Sequence, residues 1–144
     1  MFLLDTNVIS ELLEERPAKK VINWIKDRAE REESIYISAI AKAEIEYGIN
    51  IMHDGKKKNA LAQNANFFFN VRKKTCYAFN AQSAYYYAQI RVAQEKAGRN
   101  CGDRDTMTAA IAVQHKLVLA TGDADFTGVE TLQTVNPWNY KQKG

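Results

Sequence analysis

Sulfur and imidazole are scarce in this sequence, and their scarcity removes whole classes of chemistry. Its 144 residues hold two cysteines and two histidines. Cys76 and Cys101 form no Cys-x-x-Cys pattern, so neither a disulfide framework nor a thiolate zinc site is expected, and both read as reduced thiols. His53 and His115 stand far apart and adjoin none of the acids considered below, which argues against a histidine-based nuclease or a triad hydrolase. Long apolar runs are missing too. Stretches such as Ala109 to Ala112 and Leu117 to Ala120 fall far short of the roughly 18 to 20 residues of a bilayer crossing, so no membrane span is expected. The opening Met1-Phe2-Leu3-Leu4-Asp5 has no basic residue before its apolar ones and an acid directly after them. That is unlike a secretion signal, and the expected location is cytoplasmic.

What is present suffices for a core. A hydrophobic content of 46% in a chain of this length supports one compact domain, expected over 1–139, followed by a polar tail over 140–144. The net charge of +3 is mildly basic, with clusters at Lys56-Lys57-Lys58, at Arg72-Lys73-Lys74 and in the tail around Lys141 and Lys143. Such clusters attract phosphate, but runs this short are more often solvated faces, so charge alone assigns no function.

The pattern along the chain alternates. Met1 to Leu4 is a continuous apolar run ended by an acid, which suits a buried parallel strand delivering Asp5 to a sheet edge. Pro17 can open a helix on which Val21, Ile22, Trp24, Ile25 and Ala29 recur at helical spacing. Ile35 to Ile37 reads as a strand, and Ser38 stands before a helix whose Ile40, Ala43, Tyr47 and Ile51 share a face. Another helix, from Asn59 to about Arg72, carries Phe67-Phe68-Phe69, three neighbours that cannot all face one core. Cys76 to Phe79 reads as a strand, followed by a helix from Ala81 to Lys96 stopped by Gly98. On that helix, two of the three residues Tyr85, Tyr86 and Tyr87 are expected to pack. The last segment reads as a helix from Asp103 to His115 with Asp103 as its cap, a buried strand Leu117 to Ala120, an acidic loop, and a strand near Glu130 to Val135. Alternation of this kind predicts an α/β fold with a mostly parallel sheet flanked by helices, and ligands at the carboxyl ends of the strands.

Acids gather at that predicted edge. Asp5 follows the first strand, Asp105 falls in the first turn of its helix, and Asp123 follows the strand ending at Ala120. Glu44 lies on the helix after Ile35 to Ile37, beside or within its apolar face, where a carboxylate needs a partner. Each alone is an ordinary cap or helix former. Together, acids at one end of a sheet repel and raise one another's pKa unless cations lie among them. Oxygen-only ligands suit hard cations such as Mg²⁺ or Mn²⁺, whereas zinc recruits His or Cys.

Three segments carry a resemblance: Leu3-Leu4-Asp5-Thr6-Asn7-Val8-Ile9, Ser38-Ala39-Ile40-Ala41-Lys42-Ala43-Glu44 and Asp105-Thr106-Met107-Thr108-Ala109-Ala110. In their order and spacing they resemble the PIN-domain family, above all VapC-type toxins and their FitB-like subgroup. Asn136-Pro137-Trp138, Tyr87 to Arg91 and Gly55 to Asn59 look FitB-like as well. The resemblance covers essentially the whole chain. It implies a three-layer α/β/α PIN domain with a central, mostly parallel sheet of about five strands. It also implies an endoribonuclease in which Asp5, Glu44, Asp105 and a fourth acid hold Mg²⁺ or Mn²⁺ that activates water. Thr6 and Asn7 would support the first loop, with Ser38 and Ser10 assisting. The implied partners are an RNA substrate, a second copy of the chain, and an antitoxin protein, with assembly on operator DNA. The chain departs from the family pattern after Thr121, where Gly122-Asp123-Ala124-Asp125-Phe126 leaves Asp123 as the preferred fourth acid and Asp125 as its substitute. Thr108 and Asn100 are smaller departures.

Two rivals remain at this stage. A phosphatase with Asp5 as covalent nucleophile would suit a strand ending in Asp-x-Asp, but the third residue is Asn7. A catalytically weak PIN domain acting mainly in a DNA-binding complex with its antitoxin is the other, and intact acids argue against it.

Overall fold

The computed structural model describes residues 1–100, 102–126 and 128–142. Cys101 and Lys143, on which two of the readings above rest, lie outside the described residues. Five short strands form one parallel sheet: β1 (Phe2–Leu4), β2 (Ile35–Ser38), β3 (Cys76–Tyr77), β4 (Val118–Ala120) and β5 (Thr134–Val135). Their order is β3-β2-β1-β4-β5. β1 sits in the middle, with Leu3 opposite both Tyr36 and Leu119.

Successive residues of a strand point to opposite faces, and this sorts the core into two layers. Leu4, Ile37 and Ala120 face helices α1 (Thr6–Leu13), α2 (Lys19–Glu30), α3 (Ala39–Asn50) and α4 (Lys56–Val71), meeting residues such as Val8, Trp24, Ile45 and Phe69. Leu3 and Leu119 face the other way, against α5 (Ala81–Lys96), α6 (Asp103–Gln114) and the loop residues Phe126, Val129 and Leu132. The fold is therefore the expected three-layer α/β/α. Each fully buried Leu or Ile contributes roughly 1.5 to 3 kcal/mol of transfer free energy, so a three-residue strand is held by its flanking layers more than by its ladder. Among the described residues no helix is long and apolar enough to cross a membrane.

The connections place the site. From β1 the chain moves outward to β2 and β3, then returns across the sheet to β4 and β5. The gap between β1 and β4 at their carboxyl ends is thus a topological switch point, where open α/β sheets form crevices. Because α6 leads into β4, its amino end opens at the same edge.

Four local expectations need correction. Thr6 and Asn7 belong to the first turn of α1, not to a loop. The pair are weak helix formers, but Asp5 caps the helix and Val8, Ile9 and Leu13 bury its inner face. On α3 the buried residues are Ala41 and Ile45, while Tyr47 and Ile51 stand 63% and 64% exposed. The helix carries two apolar stripes, and periodicity does not say which one the sheet takes. The cap of α6 is Gly102, whose φ of 80° suits glycine, so Asp103 is the first helical residue. Its carboxylate accepts from Tyr87 Oη and pairs with Arg91. Finally, β5 is only two residues long, shorter than the stretch from Glu130.

The aromatic runs divide as expected. Phe68 and Phe69 are buried and Phe67 is exposed; Tyr86 and Tyr87 pack against the α5–α6 layer while Tyr85 is exposed. Trp138 and Tyr140 lie against the α1–α4 layer.

Candidate metal centre

Asp5 ends β1 and caps α1, so its carboxylate is fixed by the strand on one side and the helix on the other. Its backbone N–H donates to Ala120 O of β4 at 2.9 Å. Oδ1 accepts from the Thr6 backbone N–H at 2.9 Å, and Oδ2 accepts from the Thr121 hydroxyl at 2.7 Å. The residue is 5% exposed. Burial raises its pKa; the Thr121 and Thr6 hydrogen bonds oppose this, and the Glu44 and Asp123 charges add to it.

Thr121 is the hub that the sequence reading did not assign. Its buried hydroxyl donates to Asp5, accepts from Asn7 Nδ2 at 3.3 Å, and accepts from the Asp123 backbone N–H at 3.0 Å. That uses the donor and both acceptor positions of one hydroxyl. Asn7 reinforces the joint, with Oδ1 accepting from the Gly122 N–H at 3.3 Å. The available signal was positional, since Thr121 follows β4 as Asp5 follows the neighbouring β1.

Glu44 projects from α3, whose start is fixed by Ser38. The Ser38 side chain is fully buried and accepts from the Ala41 N–H at 3.1 Å, so this residue acts as the helix cap. Glu44 Oε1 accepts from the Thr6 hydroxyl at 2.9 Å, and Oε2 lies 3.8 Å from Arg104 Nη1. Thr6 thereby ties α1 to α3, and Thr6 and Asn7 each hold a neighbour of the centre in place.

The acidic loop is built from two successive side-chain turns. Thr121 holds the Asp123 N–H, and Asp123 Oδ1 accepts from the Asp125 N–H at 2.8 Å. Gly122 is needed between them, because a Cβ there would come within 2.8 Å of the Trp138 ring. Carboxylate oxygens of Asp105, Asp123 and Asp125 lie within 4.8 Å of one another. The Asp105 pKa is pushed up to about 6, first by burial and then by the charges of Asp5, Asp123, Glu44 and Asp125. The Asp123 charge raises both Asp5 and Asp105.

The structure thus brings Asp5, Glu44, Asp105 and Asp123 into one electrostatic neighbourhood, with Asp125 adjoining Asp105 and Asp123. An all-oxygen set of this kind, whose charges raise the pKa of Asp5 and Asp105, fits a hard divalent cation. A cavity of about 310 Å³ opens beside it, lined by Asp125, Ala124, Asn100, Arg99 and Gln94.

A parallel sheet with an acid centre at its switch point places this chain in a known class: it belongs to the PIN-domain family, whose profile matches residues 2–132. It is similar to Toxin FitB of Neisseria gonorrhoeae, with 35% identity over 140 residues, 96% of this chain and 99% of that protein. It is also 32% identical over 139 residues to VapC ribonuclease Y4jK of Sinorhizobium fredii, covering 96% of this chain and 98% of that protein. Among solved structures, FitAB bound to an IR36 DNA fragment superposes with a TM-score of 0.88 at 33% identity, covering 100% of both chains.

Proposed function

We propose that this chain is a divalent-metal-dependent endoribonuclease and the toxin of a type II toxin–antitoxin pair. The observation that carries the reading is the convergence on Asp105, whose carboxyl feels four other carboxylates at the carboxyl edge of the sheet. In this reading Asp5, Glu44, Asp105 and Asp123 hold Mg²⁺ or Mn²⁺, with Asp125 able to share the Asp105–Asp123 side. Such an ion, when bound, lowers the pKa of a water and neutralises charge on the phosphate. The protein's own part is placement. Thr121 and the Thr6 N–H orient the two oxygens of Asp5, the Thr6 hydroxyl orients Glu44, and the first turn of α6 presents Asp105. No histidine or side-chain nucleophile is required in this reading, and His115 stacks on the Tyr77 ring.

The likeness to a VapC ribonuclease and to Toxin FitB supports RNA as substrate, and the likeness to FitAB on DNA supports an antitoxin partner and assembly on operator DNA. A homodimer belongs to the same reading, and the exposed stripe of Tyr47 and Ile51 on α3 is a surface it could use. The FitAB–DNA likeness also favours a second reading, in which catalysis is weak and the DNA-bound complex is the working form. Cleavage of total RNA by the purified chain with Mn²⁺, with EDTA, and as the Asp5→Asn variant separates the two. Cleavage by the wild type that EDTA and the substitution both abolish is expected. Equal residual cleavage in all three would discard the nuclease reading.

A further inference from the structure

We propose that Arg104 is the side chain that grips an RNA phosphate beside the acid centre, and that its contact with Glu44 is where it rests before metal and RNA arrive. The inference rests on the nuclease reading above. Arg104 precedes Asp105 in the first turn of α6, so its backbone is fixed by the same turn that presents an acid to the centre. Its side chain is 68% exposed, and Nη1 stands 3.8 Å from Glu44 Oε2. That separation is beyond hydrogen-bond range, so the contact is Coulombic, loose and readily exchanged.

Two other cations on neighbouring helices have partners of their own. Lys42 on α3 pairs with Glu46, and Arg91 on α5 is held by Asp103 and Glu95. The Arg99 guanidinium lies so close over Gly128 that a Cβ there would come within 1.6 Å of it. Arg104 reaches Glu44 while keeping most of its surface in water. An ion that claims Glu44 removes the resting partner. The planar guanidinium is then left at the rim of the centre with a fork of N–H donors, which matches two oxygens of a phosphate better than an ammonium does. A cation at this position also offsets the repulsion that five carboxylates exert on the RNA backbone.

Two measurements on the full-length chain test this, with Arg104→Ala and Arg104→Lys as variants and a thermal melt to verify folding. In Mn²⁺ titrations without RNA, followed by the free-Mn²⁺ electron paramagnetic resonance signal, Arg104→Ala should bind the ion roughly two- to fivefold more tightly, since Glu44 loses a competing cation. In cleavage of a single-stranded RNA oligonucleotide, the same variant should raise KM by about tenfold or more, the scale of a lost charge-assisted hydrogen bond. Its kcat should stay near the wild-type value, and Arg104→Lys should recover part of the KM. Unchanged Mn²⁺ affinity and unchanged KM in Arg104→Ala, with wild type active, would overturn the role of Arg104 and leave the nuclease reading standing. Weaker Mn²⁺ binding in Arg104→Ala would overturn it too, because the arginine would then be shaping the acid site. Wild-type protein that neither binds Mn²⁺ nor cleaves RNA would sink both.

Discussion

At the scale of single residues, the centre is a balance between charge repulsion and hydrogen bonding, and Asp105 and Thr121 stand at its two ends. Asp105 has its pKa raised, so its folded form holds a proton more tightly than its unfolded form. The stability this contributes is complete below about pH 4, the unfolded value, and is lost as pH rises through about 6. Metal-free protein should therefore lose stability over that window. Asp105→Asn should flatten the loss and melt higher than wild type at pH 7 in EDTA, which a pH series of thermal melts would show. Thr121 is the opposite case, a small group that holds others. Thr121→Val keeps the shape but leaves the buried Asp5 oxygen, the Asn7 amide and the Asp123 N–H without their partner. A loss of about 1 to 3 kcal/mol in denaturant unfolding is expected, with Thr121→Ser restoring most of it.

At the scale of elements, the site depends on how helices and loops begin. Ser38→Ala removes the cap of α3 and should cost about 1 kcal/mol, measured by urea unfolding, while also loosening the helix that carries Glu44. The loop after β4 depends on Gly122. Gly122→Ala should lower both stability and RNA cleavage because its methyl meets the Trp138 ring, and most of that stability penalty should vanish in a Trp138→Leu background. A double-mutant cycle would reveal the coupling, and additive losses would mean the loop is strained for another reason.

Elements also show how far the sequence could be read. Ala81–Lys96 was legible because Gly98 stops it. β1 was legible because four apolar residues stop at an acid. By contrast, α1 was hidden: eight residues opening on Thr6 and Asn7 have weak local propensity, and packing under the sheet decides their state. The inward face of α3 was equally hidden, since it carries one stripe through Ala41 and Ile45 and another through Tyr47 and Ile51. At the site, the acids could be picked out by their positions after strands. The role of Thr121 could not, because a hydroxyl acquires meaning only once β4 lies beside β1. Arg104 was invisible for the same reason, its contact with Glu44 spanning two helices.

At the scale of the whole molecule, the acids come from the end of β1, from α3 and α6, and from the loop after β4, so only the folded chain presents them together. A cation held by this set should stabilise the entire fold, by about 2.7 kcal/mol when present at 100 times its dissociation constant. Thermal melts with and without Mn²⁺ should show the shift, and Asp123→Asn should shrink it.

The bond between Asp5 and Thr121 spans 116 positions of the polymer. Translation therefore delivers the first carboxylate early and its anchoring hydroxyl late, and in between a nascent polypeptide owns no assembled acid centre. Under the nuclease reading proposed above, the chain would by this arrangement stay harmless to the ribosome and message that are making it until β4 has emerged and slotted in beside β1.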